Sequence, residues 1–431
     1  MTQAKAMPSD ESGLPDALGS ISEALDLDDL DGRHREDGGS DIFKRITGFE
    51  LMDQAREAGL YPFFQAIEVN EGAEAIVRGK RVLMLGSNNY LGLTRHPKVM
   101  AAAHAALEDF GPSMTGSRLL NGTTPLHEQL EERIADFLGT ESAIVFSTGY
   151  LANLGVISSL VDRGCFAIID KAVHASIYDG VAMAPGKHRR FRHDDAKHLD
   201  EILSKLPRDA GRLVITDGVH SMSGGIAPLP ELIEVCRRHN TRLLVDDAHA
   251  IGTLGPTGRG TASHFGLDAP DLTVGTFSKS LASVGGFLAG PRHVTEYVKH
   301  FGRPMIFTAS LPPASAAAAL AALELVDEEP WRVTRIQEIG KKMRSALREM
   351  GFDIGDSDTP IIPIRVGSEV QAALYWKDLL DNGIYTNASI TPAVPRGQAL
   401  LRTSYIATLN DEQLDHALDL FGSIGRRHGI I

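Results

Sequence analysis

Four short segments of this sequence carry residue types that act together in covalent cofactor chemistry. The first is Gly275-Thr-Phe-Ser-Lys-Ser280, which follows an apolar run and precedes a glycine-rich turn. A lysine at a strand end, among hydroxyls and small residues, suits a Schiff base to an aldehyde cofactor. The amine must lose its proton, and desolvation lowers a lysine pKa. Neighbouring hydroxyls and backbone N–H groups suit a phosphate. The second segment, Leu244-Val-Asp-Asp-Ala-His249, puts Asp246 at the end of a buried strand. A carboxylate is costly there unless a positive charge faces it. A protonated pyridine nitrogen is such a charge, and keeping it protonated maintains the ring as an electron sink. His249, three residues on, is placed to reach a ring hydroxyl. The third, Asp170-Lys-Ala-Val-His-Ala-Ser-Ile-Tyr-Asp-Gly180, sets His174 just beyond another strand, where a flat imidazole stacks on an aromatic ring. The fourth, Phe146-Ser-Thr-Gly-Tyr-Leu-Ala-Asn153, joins a strand to a helix whose N-terminal N–H groups make a phosphate cup. A surface lysine, a capping aspartate or a satisfied histidine accounts for any one segment alone. Their order on consecutive strands is what joins them into one site.

For these segments to converge, the strands before them must run in parallel. Short apolar runs at Ser142–Phe146, Phe166–Asp170, Arg212–Thr216, Arg242–Asp246, Leu272–Thr276 and Gly286–Ala289 alternate with helix-like stretches such as Leu126–Phe137, Asn153–Leu160 and Leu229–Arg238. Continuous apolar strands separated by helices predict an α/β fold with a mainly parallel sheet covered on both faces. Ligands of such sheets lie beyond the carboxyl ends of the strands. Those ends read Asp170, Thr216-Asp217, Asp246-Asp247 and Thr276.

The remaining chain divides by texture. Residues 1–42 read as an acidic, solvated tail, poor in large apolar side chains and unable to offset its ordering entropy. Within it Ser20-Ile-Ser-Glu23 is a capping box, which reads as a transient helix or as a docking segment for a partner. Residues 43–100 form an N-terminal segment, with a strand at Lys80–Leu85 and a helix over His96–Phe110 started by Pro97. Residues 101–312 form the large cofactor-binding domain. Residues 313–431 form a small α+β domain: helices Ala314–Val326 and Trp331–Met350, strand Ile361–Val366, helix Val370–Asp381, strand Leu400–Thr403 and helix Asp411–Ile424.

Composition limits the function. Against 43 basic residues stand 56 acidic ones in 431, a net charge of −13, which argues against a general nucleic-acid binder. Residues 1–41 alone hold eleven acidic and three basic residues, so the body is nearly neutral. No apolar run approaches the ~20 residues of a membrane span. The acidic N-terminus lacks an apolar h-region, so no secretory signal and a cytoplasmic location are expected. Cys165 and Cys236 lie in apolar stretches and read as buried free thiols, without the spacing of a thiolate metal site, so no metal is expected.

Further segments join the four: Asn88-Asn-Tyr-Leu-Gly-Leu93, Gly116-Ser-Arg-Leu-Leu-Asn-Gly122, Phe307-Thr-Ala-Ser310 and Leu401-Arg-Thr403. With these, the chain from about residue 45 onward resembles the α-oxoamine synthases, enzymes of pyridoxal-phosphate (PLP) fold type I, the aspartate aminotransferase-like fold. That family includes serine palmitoyltransferase, 8-amino-7-oxononanoate synthase, 2-amino-3-ketobutyrate CoA ligase and 5-aminolevulinate synthase. Phe146–Asn153, His174–Gly180 and Ile306–Pro313 are most similar to the bacterial serine palmitoyltransferases.

The resemblance implies pyridoxal 5'-phosphate as cofactor and a role for each matching residue. Lys279 would carry the cofactor and later move the Cα proton. Asp246 would pair with the pyridine nitrogen, His249 would bond the ring oxygen, and His174 would stack on the ring and orient the substrate carboxylate. Gly149, Tyr150, Thr276 and Ser278 would surround the phosphate. Thr308 and Ala309 would reach the phosphate of a neighbouring subunit, which implies a homodimer with shared sites. Arg402 would hold the amino-acid carboxylate, with Asn89 lining the same pocket. The implied reaction is a decarboxylating Claisen condensation of serine, alanine or glycine with an acyl-CoA or acyl carrier protein thioester. An aminotransferase of the same fold and a non-catalytic subunit are the other readings, and Lys279 argues against the last. Two departures stand out. Ser389-Ile390-Thr391-Pro392 replaces a turn that bears a mobile arginine in relatives, and Ser221-Met-Ser-Gly-Gly225 lacks the acidic residue common there.

Because residues 1–41 suit a solvated tail, their deletion should leave turnover with a small acyl-CoA nearly unchanged in a steady-state assay. Collapse of turnover would place the tail in the site. A selective loss with a carrier-protein substrate would support docking.

Overall fold

A computed structural model describes residues 41, 43, 50–390, 394, 395 and 397–431. The capping box at Ser20–Glu23 and nearly all of the acidic tail lie outside the described residues, as do Thr391 and Pro392. The first strands, β1 (Ile67–Asn70), β2 (Glu74–Val77) and β3 (Lys80–Met84), precede a helix over Pro97–Phe110. His96 caps that helix, its Nδ1 accepting from Lys98 N at 3.2 Å, and Pro97 sits where a missing N–H costs nothing. A second helix, Pro125–Leu138, starts with a reciprocal box between Thr124 and His127 and ends at the left-handed Gly139.

The central sheet contains β4 (Ser142–Phe146), β5 (Cys165–Asp170), β6 (Lys187–Phe191), β7 (Gly211–Asp217), β8 (Arg242–Asp246), β9 (Leu272–Thr276) and β10 (Gly286–Gly290), in the order β4-β10-β9-β8-β7-β5-β6. The pairs from β9 through β6 are parallel. The strand β10 runs against both β4 and β9, because the link from Lys279 to Gly285 is too short for a crossover. Alternate residues face opposite layers, Ile169, Ile215 and Leu244 packing on one side and Ile168, Val214 and Val245 on the other. This two-sided burial is why the strands read as continuous apolar runs.

The strand β6, Lys-His-Arg-Arg-Phe, has no apolar run to announce it. It lies at the sheet edge, where charge guards against stray pairing. The helices at Ala175–Met183 and Ala196–Ser204 are likewise short, and their caps His174 and Asp195 come from the preceding turns.

Beyond helices Pro313–Glu328 and Trp331–Glu349 lie β11 (Ile361–Gly367), β12 (Ile384–Tyr385), β13 (Asn387–Ser389) and β14 (Ala399–Ser404). Here β11, β14 and β13 form an antiparallel sheet, while β12 pairs in parallel with β3. Backbone bonds from Ser404 N to Leu85 O (2.9 Å) and Ala407 N to Tyr90 O (2.7 Å) join the N-terminal segment to this C-terminal part. Residues 86–90 are thereby set beside β14.

The helix Gly149–Leu160 reaches the end of β9 only because its contact is made of glycine. A Cβ on Gly149 would stand 3.0 Å from the Thr276 side chain, and one on Gly286 would collide with the Gly149 backbone. Gly286→Ala should therefore cost about 1–3 kcal/mol, read as a lower denaturation midpoint. An unchanged midpoint would contradict this close approach.

Candidate active site

Three strand ends and one helix start meet around a cavity of about 310 Å³. It is lined by Gly149, Tyr150, Asn153, His174, Asp217, Asp246, His249, Thr276, Ser278 and Lys279, among others. Eight of the sequence-predicted residues thus share one wall system: Lys279, Asp246, His249, His174, Gly149, Tyr150, Thr276 and Ser278.

Asp246 ends β8 and is 6 % exposed. Its Oδ2 accepts from Asn153 Nδ2 at 2.7 Å and its Oδ1 from Ala248 N at 3.0 Å. These bonds aim the carboxylate without neutralising it. The next residue, Asp247, turns the other way and accepts from Thr261 N (3.0 Å) and Thr261 Oγ1 (2.6 Å). Burial pushes its carboxyl up to about 6. The pair in the sequence therefore separates into one site carboxylate and one that fastens a loop.

Lys279 lies in the β9–β10 link, and its ammonium makes no hydrogen bond to a described residue. Burial lowers its pKa to about 8, against the opposing pull of Asp246. His249, fully buried, is held well below the usual histidine range by desolvation and then by Lys279. Desolvation also lowers His174, opposed by Asp246. Both imidazoles are thus neutral near pH 7. His174 caps the helix Ala175–Met183, its Nδ1 lying 2.8 Å from Ser176 Oγ, and its ring meets Tyr150 edge-on at 6.3 Å. The Tyr150 hydroxyl donates to Asp179.

At the start of the helix Gly149–Leu160, Thr148 Oγ1 accepts from Leu151 N at 3.1 Å. The N–H groups of Gly149 and Tyr150 have no acceptor among the described residues. Facing them, Thr276 Oγ1 and Ser278 Oγ stand 2.8 Å apart, with Thr276 also donating to Gly285 O at 2.8 Å. Unused amides at a helix N-terminus beside two hydroxyls form an anion cup.

Arg402 on β14 is buried beside this cavity rather than among its lining residues. Its Nε donates to Ser221 O at 2.6 Å and its Nη2 to Asn88 Oδ1 at 3.1 Å. The Tyr90 hydroxyl donates to Asn88 Oδ1 at 3.1 Å and lies 2.7 Å from His249 Nδ1. Nη1 makes no hydrogen bond among the described residues and so remains available to a ligand. Asn89 differs from expectation. Its Oδ1 accepts from Leu93 N at 3.0 Å and its Nδ2 donates to Thr94 Oγ1 at 2.9 Å, so the side chain braces its own turn. The adjacent Asn88 is the one beside Arg402. Thr308 and Ala309 do not line the cavity of their own chain. Ala309 O accepts from Ser147 Oγ at 2.5 Å, which sets that loop against the anion cup.

Sequence reasoning gives no role to Asn153, Ser176 or Tyr90, and it places Asp217 at a strand end without assigning one. Asp217 ends β7, accepts from His174 N at 3.1 Å, and is raised well above the carboxylate range by burial and by Asp246. Its strand-end position was the available signal. The others declare themselves only through contacts.

The profile described as aminotransferase class I and II matches residues 80–421. A serine palmitoyltransferase of Sphingobacterium spiritivorum is 42 % identical over 88 % of this chain and 95 % of its own length. An 8-amino-7-oxononanoate synthase of Symbiobacterium thermophilum is 41 % identical over 90 % of this chain and all of its own. Among solved structures, SPT with PLP as internal aldimine superposes with a TM-score of 0.87 at 41 % identity, covering 89 % of this chain and 98 % of that one. Matched along most of its length in sequence and in fold, the chain belongs to the α-oxoamine synthase family of PLP fold type I enzymes.

Proposed function

We propose that this protein uses pyridoxal 5'-phosphate to condense an amino acid with an acyl thioester, releasing CO2 and an α-amino ketone, as serine palmitoyltransferases do. The observation that carries the reading is the buried Asp246 carboxylate, aimed by Asn153 into a cavity that also holds Lys279. The residues fit the cofactor. Among the described residues, Asn153 Oδ1 is a buried acceptor without a partner, two N–H groups of the anion cup are unused, and Asp246 lacks a cation within bonding distance.

When bound, the cofactor supplies an electron sink that makes a carbanion at the amino-acid Cα accessible. Gly149, Tyr150, Thr276 and Ser278 would hold its phosphate, and Asp246 would keep a proton on its pyridine nitrogen. His174 would cover one face of the ring, and His249, braced by Tyr90, would face its oxygen. Lys279 would hold the aldehyde carbon and then move the Cα proton at Nζ. With a pKa of about 8 the amine gives and takes a proton readily near neutrality. Arg402 Nη1 would take the amino-acid carboxylate, with the other arms of the guanidinium fixed by Ser221 and Asn88.

The proposal extends to a homodimer in which Thr308 and Ala309 serve the neighbouring site. Support comes from the tie between Ser147 and Ala309 and from Phe307, 75 % exposed on the same loop. The acyl donor is an acyl-CoA or an acyl carrier protein, and the expected location is cytoplasmic. An 8-amino-7-oxononanoate synthase activity is the second reading, supported by the 41 % identity to the Symbiobacterium thermophilum synthase along its whole length.

Modification of Lys279 in cofactor-free protein should follow its own titration. The neutral amine is the nucleophile, so reductive methylation should rise through about pH 8, whereas surface lysines rise near ~10. Peptide mass spectrometry across pH reads both; identical profiles would sink the assignment. In loaded protein, borohydride should fix the cofactor on the peptide containing Lys279.

Arg402→Ala should weaken amino-acid binding roughly 30- to 1000-fold, the equivalent of about 2–4 kcal/mol for a charge-assisted guanidinium–carboxylate pair. Arg402→Lys should recover part of this, having the charge without the planar fork. Ile390→Arg should be neutral or shift preference towards serine. Titrations with glycine, alanine and serine, followed by the visible spectrum of the bound cofactor, measure all three. Unchanged binding by Arg402→Ala would place the carboxylate elsewhere.

A further inference from the structure

A second polar cluster lies behind the ends of β5 and β7, and neither the cofactor nor the substrate roles use it. We infer that His193, Asp194 and His220 form a binding site for one divalent transition-metal ion of the zinc class. Their ligand atoms all lie within 4.8 Å of one another. Asp194 Oδ1 stands 3.1 Å from His220 Nε2, and Asp194 Oδ2 stands 3.5 Å from His193 Nε2. Ligands about 2.0–2.2 Å from a tetrahedral zinc stand roughly 3.3–3.5 Å apart, so these separations need little adjustment to admit an ion.

The surroundings orient His193 and Asp194 as metal sites require. Asp170, 0 % exposed at the end of β5, accepts from His193 Nδ1 at 3.1 Å, so that a neutral His193 keeps its Nε2 lone pair for an ion. The same carboxylate accepts from Asp194 N at 2.8 Å and from Ala172 N at 2.7 Å. Asp194 sits at φ 53°, a left-handed conformation that aspartate tolerates better than most residues. His220 is 3 % exposed, and its Nδ1 has no partner among the described residues, so its side-chain hydrogen bonding runs through Nε2. The rings of His193 and His220 meet edge-on at 4.3 Å. His193 and Asp194 are partly exposed, which gives an ion its entry path and leaves the fourth position to water. The ligands come from two separate turns, so no sequence spacing marks them.

An ion here would tie the turn after β6 to the loop after β7. That loop supplies Val219 and Ser221 to the cavity wall and, through Ser221 O, fixes Arg402. An ion at the site would therefore reach Arg402 through the position of Ser221 O.

The test is zinc binding to full-length, untagged protein by equilibrium dialysis against a chromophoric chelator. One Zn2+ per chain is expected. His220→Asn and His193→Gln should abolish it, Asp170→Asn should weaken it about 10- to 100-fold, and zinc should raise the melting temperature of wild type but not of the ligand variants. No binding by the wild type would overturn the proposal without reference to any variant. So would binding unchanged in both histidine variants, which would assign the ion to other surface histidines.

Discussion

The site is organised around one costly placement, a carboxylate buried at the end of a central strand with no cation among the described residues bonded to it. Asp246 receives two hydrogen bonds, from Asn153 and from the Ala248 backbone, and both fix its direction. Neither supplies the positive charge that such burial calls for. Lys279 is the nearby amine, and it is itself depressed to about 8, so the protein alone leaves the charge incompletely met. Asp217 beside it is pushed well up by burial and then by the charge of Asp246. The pyridine ring of the proposed cofactor resolves this imbalance.

The architecture serves that placement. Parallel β7, β8 and β9 bring Asp217, Asp246 and Thr276 to one edge, and the antiparallel β10 lets the chain turn back directly after Lys279. Glycine at positions 149 and 286 lets a helix N-terminus close on the same edge. The C-terminal strands contribute from the other side. They are sewn to residues 83–90 by backbone bonds, so Asn88, Tyr90 and Arg402 form one hydrogen-bonded line ending on His249. Substrate recognition and ring recognition are in this way mechanically joined.

The strands that build the site were legible because burial on both faces demands unbroken apolar runs, and those runs announce themselves. Lys279, Asp246, His249 and His174 were legible because each follows such a run. The edge strand Lys187–Phe191 was not, since its exposed face carries charge. Neither were Asp217's contact with His174 and the roles of Asn153 and Tyr90, which depend on partners 43, 93 and 159 residues away. Asn89 and Asn88 show the limit at single-residue scale. Two adjacent asparagines are equivalent in sequence, and only the turn geometry decides which braces the loop and which meets Arg402.

The account rests on Asp246 meeting a protonated ring nitrogen, and the nitrogen-15 chemical shift of ring-labelled pyridoxal phosphate bound to the enzyme reads that proton directly. In wild-type protein near pH 8 the shift should report a protonated nitrogen, and in Asp246→Asn a neutral one. A neutral nitrogen in the wild type, or the same shift in both proteins, would contradict the account.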